Sequence, residues 1–282
     1  FHAAFERGIW YPSGGMYQVV EALVTLGKKH GVIYHTSAPV ESVCVAQDRA
    51  KGLVLEGGEY FPADIIISNA DRSYTEEHLL PSRSRDYTKS FWQNSQPSYA
   101  TLLLFLGVRR KIPALAHHNF FFGHNWKEQF HDIEKGKLSV DPSFYVGMRS
   151  ATDPSCAPRG MENIFVLTPI PSVFSNDELD HYGDKVIRKL IFIAPDIKGA
   201  IVFDERWYPR DFARRYHSFQ GSALGLAQTF FQTGPFRPSH KSKHVKNLYF
   251  VGATTNPGIG VPTCLVSATQ VFKEIMANKT AT

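Results

Sequence analysis

The stretch 247–264 (Asn-Leu-Tyr-Phe-Val-Gly-Ala-Thr-Thr-Asn-Pro-Gly-Ile-Gly-Val-Pro-Thr-Cys) is where residue types and spacing best fit chemistry. Leu248, Tyr249, Phe250 and Val251 predict a buried strand, which meets a loop carrying Gly252, Gly258 and Gly260; Val261 and Pro262 then open a predicted helix. Strand, glycine loop, helix is an order that cradles ligands. Glycines lack a Cβ, take positive φ and let a flat ligand approach the backbone. Pro262 suits the first helical position, where its missing N–H would be unpaired anyway. The next amides lack intrahelical partners, and the helix dipole adds partial positive charge there. Such an end can hold a phosphate or the negative charge that gathers on a flavin ring taking up a hydride. The spacing does not choose between them, and a plain strand-turn-helix crossover has the same pattern.

Proton transfer has one candidate cluster, Asp204, Glu205 and Arg206 beside Trp207, which also fits a strand end in water. The chain has 12 His, but His117, His118, His124 and His131 form no His-x-x-x-His pair and have no Cys or acidic set at ligand spacing, so no metal is expected. Cys44, Cys156 and Cys264 are odd in number and far apart, which argues against a disulfide framework and for a reducing, intracellular compartment. The net charge of +5 comes from scattered Lys and Arg, the densest group being Arg237 to Lys246, so nucleic acid is not an expected partner. The longest apolar run, Leu102 to Leu106, is far short of the roughly 18 residues of a membrane span. No signal-peptide pattern is seen. The chain begins mid-pattern with Phe1-His-Ala-Ala-Phe5, which suggests residues upstream.

The elements that must position these groups follow from periodicity. Tyr11-Pro-Ser-Gly-Gly15 is a turn before a helix to about Lys29, with Met16, Val19, Val20, Leu23 and Leu26 on one face and Gly31 as its stop. Val32–His35 is an expected short strand, giving half of a βαβ unit. From Pro39 the pattern turns antiparallel, with a turn at Gln47-Asp48-Arg49 and a hairpin at Gly57-Gly58. Ala63–Ser68 reads as a parallel-sheet strand, and Asp71 caps a helix that runs to Leu80. Later strands are expected over 99–108, 164–168 and 201–206; a Ser175–Glu178 capping box opens a helix, and Gly221–Gly225 is either a helical turn or a tight loop. Composition divides the chain into a discontinuous domain, 1–75 with 245–282, and an inserted domain, 76–244.

Several segments occur in an order that closely resembles the bacterial and fungal type of phytoene desaturase, in its fungal form, within the flavin-dependent amine-oxidase-like group. They are Tyr11–Met16, Pro39–Val43, Ala63–Asp71, Asp141–Tyr145, Asp153–Pro158 and Asn247–Pro262, and the likeness runs from about residue 14 to 275. The resemblance implies non-covalent FAD and stepwise removal of hydrogen from the C40 polyene phytoene toward lycopene, with oxygen or a quinone as electron acceptor. Carried over by position, Gly252, Ala253, Thr254, Pro257, Gly258, Ile259, Gly260, Val261 and Pro262 would line the flavin and its pyrophosphate, and Val40 would sit near the adenine.

The family opens with a Gly-x-Gly-x-x-Gly turn that this sequence lacks. The expected fold is therefore α/β: an incomplete FAD/NAD(P)-binding Rossmann-like domain without its first βαβ unit, carrying an inserted α+β substrate domain, similar to the carboxyl-terminal portion of the enzyme. A related carotenoid or polyene oxidoreductase and a catalytically inactive truncated fragment are the other readings. Phe120, Phe121, Phe122, Phe230 and Phe231 fit either a hydrocarbon tunnel or core packing. A bilayer-borne substrate implies peripheral contact with the membrane lipid surface.

Overall fold

A computed structural model describes residues 6, 8, 10–171 and 174–280, with side chains to 278. In chain order the elements begin with α1 (Tyr17–Lys29), β1 (Val40–Ala46), β2 (Arg49–Leu55), β3 (Tyr60–Pro62), β4 (Ile66–Ser68), α2 (Arg72–Tyr74), α3 (Lys89–Asn94) and β5 (Ala100–Val108). They continue with β6 (His118–Phe121), α4 (Trp126–Glu134), β7 (Phe144–Gly147), β8 (Glu162–Ile170), α5 (Asn176–Ile193), β9 (Ile201–Trp207), α6 (Pro209–Tyr216), β10 (Leu248–Phe250) and α7 (Val261–Thr280). Two compact units result: the described residues of 1–36, 102–169 and 174–206 form one, and those of 37–101, 170–171 and 207–280 the other.

In the second unit β1, β2 and β3 form an antiparallel sheet, with Val43 opposite Leu53 and Leu53 opposite Phe61. Gln47 and Asp48 turn between the first two strands at φ of 52° and 55°, and Gly57 and Gly58 turn between the next two at 116° and 88°, where glycine carries no Cβ penalty. β4 and β10 pair in parallel, Ile66 with Leu248 and Ser68 with Phe250, which makes the run at 66–68 the parallel-sheet strand its apolar character predicts. Val43, Ala50, Ile66, Leu79, Leu80, Val245, Leu248 and Phe250 make one apolar core under both sheets. Asn247 pins the two sheets together: its side chain accepts from Ala50 N and donates to the carbonyls of Ala50 and Asp64. Asp71 caps α2 through Ser73 N, and a π-helical turn, Thr75–Leu79, carries the helix to Leu80.

In the first unit the strand order is β6-β7-β8-β5-β9. α5 starts with the expected capping box at Ser175 and buries Leu179, Val186 and Leu190. At Gly183 it comes so close that a Cβ would stand 3.1 Å from Arg206 Nη1 and 3.4 Å from Leu104 Cδ2.

Two expectations need correction. Val32–His35 is not a strand; Val32, Ile33 and Tyr34 are exposed and, among the described residues, have no ladder partner. The α1 stripe keeps its helical spacing, yet Val20, Leu23 and Leu26 face solvent within this chain. Of the two readings open for Gly221–Gly225, the loop is the one formed, with φ of 69° at Gly221 and 72° at Gly225.

Asp141 anchors part of the first unit. Its carboxylate accepts from Lys189 Nζ and from both the backbone N–H and Nδ1 of His124, at 2.8 and 2.9 Å. The Lys189 hydrogen bond, then those from His124, hold the Asp141 carboxyl well below the usual carboxylate range. A depressed carboxyl stabilises the fold above the unfolded value of about 3.9 and loses that contribution as pH falls through the folded value. Thermal melts of wild type and Asp141→Asn are therefore expected to differ most near neutral pH and to converge as pH falls below about 3.9. A gap that holds constant down to pH about 2 would contradict this.

Candidate functional site

The parallel pair β4 and β10 ends at Ser68 and Phe250, and Val251 N still donates to Ser68 O at 3.0 Å. The chain must then leave the sheet, and Gly252 makes the break at φ of 108°. A Cβ there would stand 3.1 Å from Asn69 Oδ1. A buried hydroxyl network holds the underside of the turn. Gly252 N donates to Ser267 Oγ of α7, Thr255 Oγ1 donates to Gly252 O, and the two hydroxyls lie 3.1 Å apart. His240 Nε2 is 2.7 Å from Asn256 O and 3.3 Å from Ser267 Oγ. The loop thus rests on its own helix.

Further along, Gly258 takes φ of 125°, and a Cβ would stand 2.7 Å from Gln228 Nε2. Gly260 takes φ of 111°, after which α7 begins at Val261, one residue before Pro262. Cys264 N closes the first helical turn onto Gly260 O at 2.9 Å, and among the described residues the N–H groups of Val261 and Thr263 have no partner. The strand-loop-helix order read from the sequence is present, with two unpaired donors at the helix end.

A pocket of about 220 Å³ opens at the carboxyl ends of β4 and β10, the usual place for ligands of open parallel sheets. Its walls are Asn69, Ala70 and Asp71 from the end of β4, Val251, Ala253 and Thr254 from the turn, and Phe212, Tyr216, Ser218, Ser222, Ala223 and Gly225 from α6 and the loop after it. Gly225 keeps this loop close: its absent Cβ would be 3.5 Å from that of Ala253. Asp71 is the pocket's one carboxylate among the described residues, and both of its oxygens are engaged. Oδ1 accepts from Ser73 N and Oγ, and Oδ2 accepts from Phe219 N at 3.3 Å. That last bond fixes the backbone next to Ser218, whose hydroxyl oxygen is buried without a partner among the described residues. A buried unpaired hydroxyl is costly unless a ligand group or water completes it.

Of the residues named from sequence, Ala253 and Thr254 line this pocket, and Gly252 and Pro257 to Pro262 continue the same turn to the helix end. Val40 starts β1 and packs against the apolar core, and it is not among the pocket residues. Asn69, Tyr216, Ser218 and Ser222 were missed. Asn69-Ala-Asp71 carried a visible signal, polar residues at the end of an apolar strand, but the loop 218–225 showed only its two glycines. Asp204 and Arg206 lie in the other unit. Arg206 donates to Asp204, Asp180 and Asp184, and the hydrogen bonds to Asp204, foremost, and to Asp184 raise its pKa above the ordinary guanidinium value. Asp204 is therefore occupied in an ion cluster that ties β9 to α5. Phe120 and Phe122 are exposed on and just after β6, and Phe231 and Phe236 wall a separate groove of about 610 Å³.

The sequence is 39% identical over 277 residues to the zeta-carotene-forming phytoene desaturase of Myxococcus xanthus, covering 95% of this chain and 53% of that protein. It is 37% identical to the carotenoid 3,4-desaturase of Haloarcula japonica, covering 94% of this chain and 54% of that protein. The chain thus spans about half the length of the curated relatives it matches. Among solved structures, an oxidoreductase from Methanosarcina mazei superposes with a TM-score of 0.63 at 16% identity, over 93% of this chain and 55% of that one, which indicates a common α/β fold. Residues 2–276 match the model of the flavin containing amine oxidoreductases. With that match spanning nearly the whole chain, the chain belongs to the flavin containing amine oxidoreductase family.

Proposed function

We propose that this chain is part of an FAD-dependent carotenoid desaturase that removes hydrogen from phytoene toward lycopene, with oxygen or a quinone as the final acceptor. The observation that carries the proposal is the pocket at the ends of β4 and β10, where a turn of three positive-φ glycines begins and a buried hydroxyl has no partner. These residues fit a flavin. A side chain at Gly252 or Gly258 would press on Asn69 or Gln228 and push the turn off its seat, so glycine there keeps the turn's backbone in the shape that a ring could rest against, and Ser218 Oγ offers a hydrogen bond to a ring heteroatom. Bound FAD would supply the hydride acceptor for an allylic C–H bond.

The chain's own groups would do the rest. Ala253 and Thr254 would pack against the ring, and Phe212 and Tyr216 would keep water from the opposite wall. The free N–H groups of Val261 and Thr263, with the dipole of α7, would favour added negative charge by about 0.3–1 kcal/mol per interaction. The division into a cofactor domain, 1–75 with 245–282, and an inserted substrate domain, 76–244, is part of the same proposal, as is Val40 beside the adenine.

The test is a flavin spectrum of the whole enzyme before and after phytoene is added in liposomes. Bleaching with a new coloured polyene supports the reading, and a protein that never retains flavin removes it. A different polyene that bleaches the flavin while phytoene does not would favour a related carotenoid oxidoreductase.

A C40 hydrocarbon resides in the bilayer, so peripheral membrane contact is also proposed. Among the described residues no helix is long and apolar enough to cross a membrane, while Phe230 and Phe231 are 76% and 74% exposed on one short turn. The whole enzyme is expected to float with anionic vesicles, and equal recovery with and without vesicles would contradict it.

A further inference from the structure

We propose that Arg237 is the positioning residue of the Gly252–Pro262 turn, its buried guanidinium both stitching the turn in place and keeping one uncompensated positive charge beside it to favour electron uptake by the flavin; this rests on the flavin reading above. Arg237 is 3% exposed. Its Nε donates to Thr255 O at 3.0 Å, Nη1 to Gln232 O at 2.9 Å, and Nη2 to Ala253 O at 2.6 Å and Leu226 O at 3.4 Å. Every one of these partners is a main-chain carbonyl, and two of them belong to the turn.

Two other buried or half-buried arginines are paired with carboxylates, whereas half-buried Arg85, like Arg237, donates only to main-chain carbonyls, those of Glu77 and Leu80, but is less buried. Arg72 meets Glu76 and Asp86, and Arg206 meets Asp180, Asp184 and Asp204. Arg237 has no carboxylate within ion-pair reach among the described residues. A buried cation without a counter-ion is costly to desolvate, and four carbonyls could be served by neutral donors. The charge is therefore the feature that needs a reason. Burial draws the Arg237 pKa below the usual guanidinium value, yet a guanidinium stays charged at any working pH.

Its place gives that reason. A Cβ on Gly258 would stand 3.9 Å from Arg237 Cζ, so the charge lies directly behind the glycine turn. A ring resting on the turn gains negative charge when it accepts a hydride, and a nearby cation screened only by protein favours that state. The fork fixes the shape of the turn and the charge biases the redox equilibrium. These two roles can be separated by substitution, because lysine keeps the charge but lacks the planar fork.

The experiment uses the whole enzyme with FAD and three variants, R237K, R237Q and R237M, read by the flavin midpoint potential, FAD retention and far-UV circular dichroism. R237K is expected to keep the wild-type potential while retaining FAD less tightly. R237Q and R237M are expected to fold, with roughly tenfold less preference for reduced over oxidised flavin, a midpoint about 30 mV lower for a two-electron couple. The proposal is overturned if both neutral variants hold the wild-type potential, if R237K falls as far as they do, or if neither neutral variant folds, which would make Arg237 a structural residue only. Wild-type enzyme that holds no FAD would instead overturn the flavin reading itself.

Discussion

Arg72→Met is expected to destabilise the fold by about 3–5 kcal/mol, the cost of breaking a buried ion pair from one side. Arg72 is 1% exposed and Glu76 is fully buried, and the guanidinium bridges elements distant in sequence. Its Nε donates to Glu76 Oε1 at 2.9 Å, Nη2 to Asp86 Oδ2 at 2.6 Å, and Nη1 to Ser239 O. Its Cζ also lies 3.9 Å from the centroid of the Phe250 ring, at the end of the strand that feeds the glycine turn. Asp86 in turn accepts from Ser242 Oγ and from the N–H groups of Lys243 and His244.

Methionine would preserve much of the volume but leave two buried carboxylates facing each other. Burial already raises the pKa of Glu76, and Arg72 is the main force opposing that rise. A carboxyl whose folded pKa is raised loses stability as pH rises through the folded value. The deficit of Arg72→Met should therefore be largest at neutral pH and shrink as pH falls toward about 4, because the raised carboxyl takes up its proton above the unfolded value. Urea unfolding at pH 7 and pH 4 measures both. A loss under about 1 kcal/mol at pH 7 would mean that the cluster is not the support described.

Gly252→Ala is expected to weaken FAD retention by the whole enzyme roughly tenfold or more, equivalent to at least about 1.4 kcal/mol. The backbone there takes φ of 108°, which L residues rarely adopt, and the new Cβ would meet Asn69 Oδ1 at 3.1 Å. Strain of about 1–3 kcal/mol can be relieved only by turning the loop away from Asn69 and Ser267. Gly57→Ala supplies the control. Gly57 has φ of 116° but no atom within 4 Å of the added Cβ. Both variants carry backbone strain, so both should lower the melting temperature, but only Gly252→Ala should release flavin. Equal retention by the two would remove the turn from the cofactor site.

Much of this was legible because local physics decides it. The Gly57-Gly58 hairpin, the Asp71 cap and the Ser175 box are set by residues close in sequence, and each formed. The runs at 66–68 and 248–250 were legible as buried strands from their apolar residues, but that they pair with each other is visible only in the fold. The failures arose where partners decide. Val32–His35 has strand-forming residues, yet a strand exists only with a neighbour to bond. Asp204 and Arg206 looked like a possible proton relay until α5 supplied Asp180 and Asp184 across space. Ser218 and Arg237 carry no periodicity at all. Their significance is burial, the first hydroxyl unpaired and the second cation without an anion, and burial depends on the whole unit.

The most direct measurement is a crystal structure of the whole enzyme with FAD, read for the separation between the isoalloxazine ring and residues 252–262. The predicted result is van der Waals contact, about 4 Å, between the ring and Ala253 to Gly260, with Ser218 Oγ hydrogen-bonded to the cofactor. A ring seated against other elements, with this turn facing solvent and Ser218 still unpaired, would contradict the account.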